Sequence, residues 1–156
     1  MNSTGKAIVL GAVLIVGAFF LWEGYFSAEA RMERFLHSIA GPAEALKLEE
    51  VLSSIGDDYT DSFQQDKTLL ASRLGEGFSK IDSLNITISS IQASYDGDRA
   101  SGEFDLVVVA RRGEERLMVV GTPLQPQHLS LEIARDDGDW QVRSVERKAP
   151  QEMPAP

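Results

Sequence analysis

A chain of 156 residues, 43% of them hydrophobic, has the apolar material for one ordinary domain with its own core and short accessory segments. A formal net charge of -9 disfavours a nucleic-acid partner, because phosphate backbones are held by clustered Lys and Arg. The absence of cysteine removes disulfides, thiol nucleophiles and Cys-containing zinc sites.

The amino terminus carries the strongest local signal. From Lys6 to Trp22, "KAIVLGAVLIVGAFFLW" has no charge after Lys6, and the apolar run resumes past Glu23 in "GYF". Such a run belongs in lipid or in a translocon. Residues 1–27 therefore read as a transmembrane anchor or a signal segment, with Ala28 and Ala30 spaced as a signal peptidase reads them. The length of the run, with Trp22 and Tyr25 suited to a membrane interface, favours the anchor over secretion after cleavage. Lys6 before the span is balanced by Arg31 and Arg34 after it, and the short leading tail predicts an exported, periplasmic or extracellular domain on a single-pass anchor.

Residues 28–147 form the predicted domain. Met32, Phe35, Leu36 and Ile39 recur at helical spacing, and Gly41 with Pro42 is expected to stop that helix. A second helix is predicted with Leu48, Val51, Leu52 and Ile55 as its stripe, ended by Gly56. A third begins at Asp66 and carries Leu70, Leu74 and Phe78. From Leu84 onward the period becomes two, which predicts strands. A slip at Ser89 and Ser90 predicts a bulge, and Asp96-Gly97, Gly113 and "DDGD" mark turns. Phe104, Leu106, Val108 and Ala110, then Leu129, Leu131 and Ile133, are predicted inward, while Pro123 and Pro126 mark an edge or a longer connection. Residues 148–156 are proline-rich without an apolar period and read as a disordered tail. Three helices followed by an antiparallel meander with one dry face imply an α+β domain whose curved antiparallel sheet wraps the helices.

The order of these elements, with "IGDDYTDSF", "DKTLLASRLGEGF", "ISSIQASYDGDRASGEFDLVVV" and "LSLEIARDDGDWQVRSVE", resembles the nuclear transport factor 2-like, or cystatin-like, superfamily over about residues 33–147. In its bacterial members the phrase Asp-Gly-Asp-Trp, here Asp137 to Trp140, commonly opens the last strand. The resemblance implies a cone-shaped α+β fold that serves isomerases, dehydratases, epoxide hydrolases, polyketide cyclases, transport factors and many noncatalytic domains, so function has to come from the residues facing the cone.

Six positions are predicted to line that cone: Phe104, Leu106, Val108, Leu129, Leu131 and Ile133. All are apolar, which leaves it without an evident acid or base and favours a noncatalytic domain, for protein interaction or for a small apolar ligand, with no cofactor. The acidic stretch "IGDDYTDSFQQDK" fails as a calcium loop. Counting from Asp57, the third position is Tyr59, the sixth Ser62 and the twelfth Thr68. Tyr59 and Asp61 remain the candidates for the alternative, an isomerase-like or dehydratase-like enzyme, as a phenol and a carboxylate at the cone mouth. The competing reading is a surface carboxylate near Lys67 in a loop pinned by Tyr59 and Phe63. His37 and His128 fall beside apolar stripes, and no histidine spacing supports a metal. Arg111, Arg112 and Arg116 are offset by Glu114 and Glu115 at a solvated turn. Val107 and Val109, with Met118 and Val120 nearby, are expected on an exposed outer sheet face that would take a second copy or another protein.

Overall fold

The computed structural model describes residues 11–16, 18 and 27–148. Helix α1 (Ala28–Glu44) starts where the Ser27 hydroxyl accepts the Ala30 amide at 3.1 Å. Its buried face, Met32, Leu36, Ala40 and Ala43, follows the helical repeat and lies on the sheet. The predicted stop at Gly41 and Pro42 does not occur, and Pro42 lies inside the last turn. Burial of Ala40 and Ala43 on either side holds that turn in place. The chain leaves it at Leu46, with φ 57° and its amide on the Ala43 carbonyl.

The predicted second helix is only α2 (Leu48–Ser53), and its expected last member, Ile55, belongs to strand β1 (Ile55–Asp61). Gly56 does not end a helix. It packs within β1, where an added Cβ would lie 3.2 Å from the Val142 carbonyl oxygen. Helix α3 (Lys67–Ser79) begins as expected at Asp66, whose carboxylate accepts the Leu69 amide at 2.8 Å. Five strands follow: β2 (Ser83–Asp96), β3 (Arg99–Arg112), β4 (Glu115–Val120), β5 (Gln127–Asp136) and β6 (Asp139–Arg147).

The sheet order is β1-β6-β5-β3-β2, with β4 beside the far half of β3. Because β1 runs parallel to β6, the sheet is mixed and not wholly antiparallel as expected. The long β2–β3 ribbon keeps its predicted irregularity. Its register slips between Ser89 and Gln92, and Ser90 takes a φ of 55° that a non-glycine residue rarely adopts. Turns at Gly97, Gly113 and Gly138 use the positive φ that glycine allows.

One face of the sheet holds the core. Met32, Ile133 and Leu131 are almost inaccessible, with Phe104, Tyr59, Ile55 and Val142 around them. Gly102 makes room for this packing, since a Cβ there would come within 3.0 Å of the Met32 Cε. Burying a methionine so completely contributes about 1.5–3 kcal/mol. Among the described residues no helix is long and apolar enough to cross a membrane. The apolar run from Lys6 to Trp22 falls largely outside them, as does the tail from 149 onward.

Candidate functional site

The six residues predicted to line the cone do not all sit alike. Phe104, Leu131 and Ile133 are buried in the central cluster, Leu106 and Leu129 pack half-buried against it, and Val108 is buried further along β3. Met32 descends from α1 onto this floor, so apolar side chains fill the space between helix and sheet there.

Tyr59 and Asp61 are brought together. Two residues apart on β1, they share a face, and the buried phenol donates to the Asp61 Oδ2 at 2.9 Å. Burial pushes the Tyr59 phenol well above its ordinary range, and the Asp61 hydrogen bond and charge push it further. A phenol so raised holds its proton at neutral pH. Asp61 has other partners as well. Its Oδ1 accepts the amides of Phe63 at 2.9 Å and Gln65 at 3.1 Å, and its Oδ2 also accepts the Gln65 side-chain amide at 3.2 Å. Gln65 is itself buried. The carboxylate thus organises the turn between β1 and α3. Lys67 pairs with Asp57, at 3.1 Å, and not with Asp61.

Asp58 points to the opposite side and pairs with Arg143 on β6. The Arg143 hydrogen bond, working against a smaller effect of burial, holds the Asp58 carboxyl below its usual 3.8. A lowered folded value means that the ionised pair stabilises the domain above the unfolded value, and that this contribution disappears as pH falls through the folded one. The Asp58 side chain is 65% exposed, so the effect is small and screened by salt. A carboxyl titration followed by NMR will show the Asp58 midpoint below 3.8. In Arg143→Gln that midpoint rises towards the ordinary value.

A second polar group escaped the sequence reading. His128 is half-buried on the outer sheet face, with Nδ1 2.8 Å from Asp105 Oδ1 and Nε2 3.8 Å from Glu103 Oε2. Lys148 pairs with Glu103, whose carboxyl that bond holds below the usual range. The signal was the β3–β5 register, which places Asp105 directly opposite His128. Glu103, Asp105 and His128 line one side of an open groove of about 620 Å³, whose other walls are Ser90, Gln92, Gln127 and the Leu124 turn. Both ring nitrogens of His128 face carboxylates and no nucleophile is hydrogen-bonded to them, so the group does not form an acyl-transfer triad. Among the described residues no cluster of His, Asp and Glu could hold a metal ion. His37 is exposed on α1, 3.7 Å from Glu33.

The outer face also corrects an expectation. Val107 and Val109 are buried, at 9% and 8% exposure, and do not form an open patch. Met118, expected near that face, is open at 49%, and with Val119 at 57% and Leu124 at 94% it puts exposed apolar surface on β4 and the turn after it. Arg112 and Glu115 pair at 3.0 Å in the preceding hairpin, in keeping with a solvated turn.

Solved structures share this arrangement of helices and sheet. A scytalone dehydratase candidate from Novosphingobium aromaticivorans superposes with a TM-score of 0.62 at 15% identity, over 75% of this chain and 80% of that one. A nuclear transport factor 2-like protein of unknown function from Pseudomonas putida gives 0.58 at 14%, over 82% and 90%. The fold is the nuclear transport factor 2-like cone. A dehydratase candidate of that family from Streptomyces avermitilis superposes with 0.62 at 10%, over 76% and 93%. No protein-family model and no curated protein matches the sequence. At these identities the likeness concerns the fold, and the neighbours on this cone include both enzyme candidates and proteins of unknown function.

Proposed function

We propose that this chain is a noncatalytic nuclear transport factor 2-like domain, held at a membrane by its amino-terminal segment, that serves protein interaction. The observation that carries this reading is the state of Asp61. Its two oxygens accept four hydrogen bonds from Tyr59, Phe63 and Gln65, which leaves the carboxylate occupied with its own turn. The filled floor under Met32 supports the same reading and favours a protein partner over a small apolar ligand in the cone. An enzyme working inside this cone needs an available ionisable group beside open space there, and between α1 and the sheet that space is taken by Met32.

The interaction surface is β4 with the following turn, where Met118, Val119 and Leu124 stand open. Gly121 locks that turn. Its φ is 61°, and a Cβ would come within 2.8 Å of the Leu106 carbonyl oxygen, while Thr122 and Gln125 exchange backbone hydrogen bonds at 3.0 and 3.1 Å around Leu124. A second copy or another protein covering these side chains would remove them from water. Sedimentation velocity of the domain, compared with Met118→Glu, Leu124→Glu, tests this. The proposal expects a concentration-dependent assembly, or capture of a partner, that the double variant loses while its circular dichroism is unchanged. A monomer with no partner at any concentration, or assembly untouched by the substitutions, would contradict the assigned surface.

Support for the anchor comes from the sequence and from the short described piece of that segment. Residues 11–16 are helical, and Val13, Leu14, Ile15 and Val16 each have more than half their surface open. An exported domain on a single-pass cell-membrane anchor suits such a segment.

The alternative is an isomerase-like or dehydratase-like enzyme using Tyr59 and Asp61. The 2.9 Å contact between them, and dehydratase candidates on the same cone, favour testing it. Turnover of a panel of hydroxy-carbonyl substrates that vanishes in Asp61→Asn while its circular dichroism stays that of the folded domain would establish this alternative.

A further inference from the structure

We infer that one end of the domain, formed by the start of α1 and the β2–β3 and β5–β6 hairpins, rests on the zwitterionic headgroup layer of a bilayer. The inference depends on the anchoring proposed above and adds an orientation to it.

The tether is short. The last apolar residue of the leading run, Phe26, is followed at once by Ser27, which caps α1. Five residue steps separate Trp22 from Ser27, and a chain fully extended over them reaches roughly 17 Å. With Trp22 at the membrane interface, α1 must begin within that distance of it. No polar linker lets the domain move away.

The elements meeting at that end carry the side chains an interface selects. Arg31, one turn into α1, lies over the Tyr95 ring with 3.9 Å to its centroid. Tyr95 meets Trp140 edge to face at 5.3 Å, and Arg135 covers Trp140 at 5.2 Å. The two hairpins are joined by the Arg135 amide on the Asp98 carbonyl at 2.8 Å and by the Arg135 guanidinium on the Asp98 carboxylate at 2.9 Å. Half-buried Tyr and Trp under guanidinium groups place an apolar body and a polar tip at one level, which matches the boundary between acyl chains and headgroups.

Charge decides which bilayer fits. The hairpins also carry Asp96, Asp98, Asp137 and Asp139, so arginines and aspartates are interspersed at this end. A strongly anionic surface would meet the aspartates. A zwitterionic one offers phosphate to the arginines and ammonium to the aspartates.

The opposite end has a different character. α1 runs along β2 from Tyr95 towards Ile86, whose amide reaches Glu44 at 3.4 Å. Met118 pairs with Val109, nine residues beyond Ala100, the partner of Tyr95. At about 3.3 Å per residue this puts Met118 as much as ~30 Å from the seated end. The proposed partner surface therefore includes a residue, Met118, at the far end of the sheet from the seated hairpins.

The test uses the full chain in phosphatidylcholine vesicles containing a headgroup-nitroxide lipid. Trp22→Phe leaves Trp140 as the only tryptophan, and a second protein with Trp22→Phe, Trp140→Phe and Met118→Trp reports the far end. Flotation with the vesicles is measured first. The inference expects both proteins to float, and Trp140 emission to fall at least twofold while Trp at 118 is unaffected. Flotation with equal quenching at the two positions, or none at 140, would overturn the seating and leave the anchor standing. Failure to float would overturn the anchor and the seating with it.

Discussion

Met32→Ala will destabilise the domain by about 2–5 kcal/mol, the range for emptying a large buried side chain. Met32 is wholly inaccessible and its terminal atoms fit against Gly102, so little of the space can close by small shifts. At roughly 4 °C per kcal/mol for a domain of this size, thermal unfolding should fall by about 8–20 °C. The variant should also gain what the wild type lacks, an apolar void between α1 and the sheet. A small arene that stabilises Met32→Ala but not the wild type would show that methionine fills the space between α1 and the sheet. A wild type stabilised equally would show the cone already open. Chemical denaturation with and without the arene checks both parts.

Asp61→Ala will cost about 1–3 kcal/mol, because it strands the Tyr59 hydroxyl and the Gln65 amide groups that the carboxylate now satisfies. The Phe63 amide is exposed and water can replace its bond, so the loss arises mainly at the buried partners. The effect should appear in the denaturation midpoint. It should also appear as faster amide exchange at Gln65 and at the start of α3, since the same turn delivers the Asp66 cap.

The two halves of the domain were unequally legible in the sequence. Period-two alternation around Phe104 and Leu131 marked the sheet, and the Ser89–Ser90 slip marked its bulge, because both features are written in local side-chain order. Strand β1 was not. Its Gly56, Asp57 and Asp58 are poor strand formers, and it exists by pairing in parallel with β6, more than eighty residues later. No local pattern records such a partner. Reading Ile55–Asp61 as a strand would have placed Tyr59 and Asp61 on one face immediately. His128 sits at the boundary its alternation suggested, but the same non-locality hid its pairing with Asp105 and Glu103 across the β3–β5 register. Pro42 misled in the other direction: its ring signals a helix end, but burial of Ala40 and Ala43 carries α1 past it. Val107 and Val109 show that alternation assigns a residue to a face without saying what covers that face.

The central claim is that Tyr59 and Asp61 hold the fold together and do not perform chemistry. A double-mutant cycle on stability, with Tyr59→Phe, Asp61→Asn and the pair combined, measures this directly. The account predicts that each single change destabilises and that the two are coupled by about 0.5–3 kcal/mol, as for groups sharing one buried hydrogen-bond network. An Asp61→Asn protein as stable as the wild type, or more stable, would contradict it, because that is the behaviour of a carboxylate held at a site for function at the expense of stability.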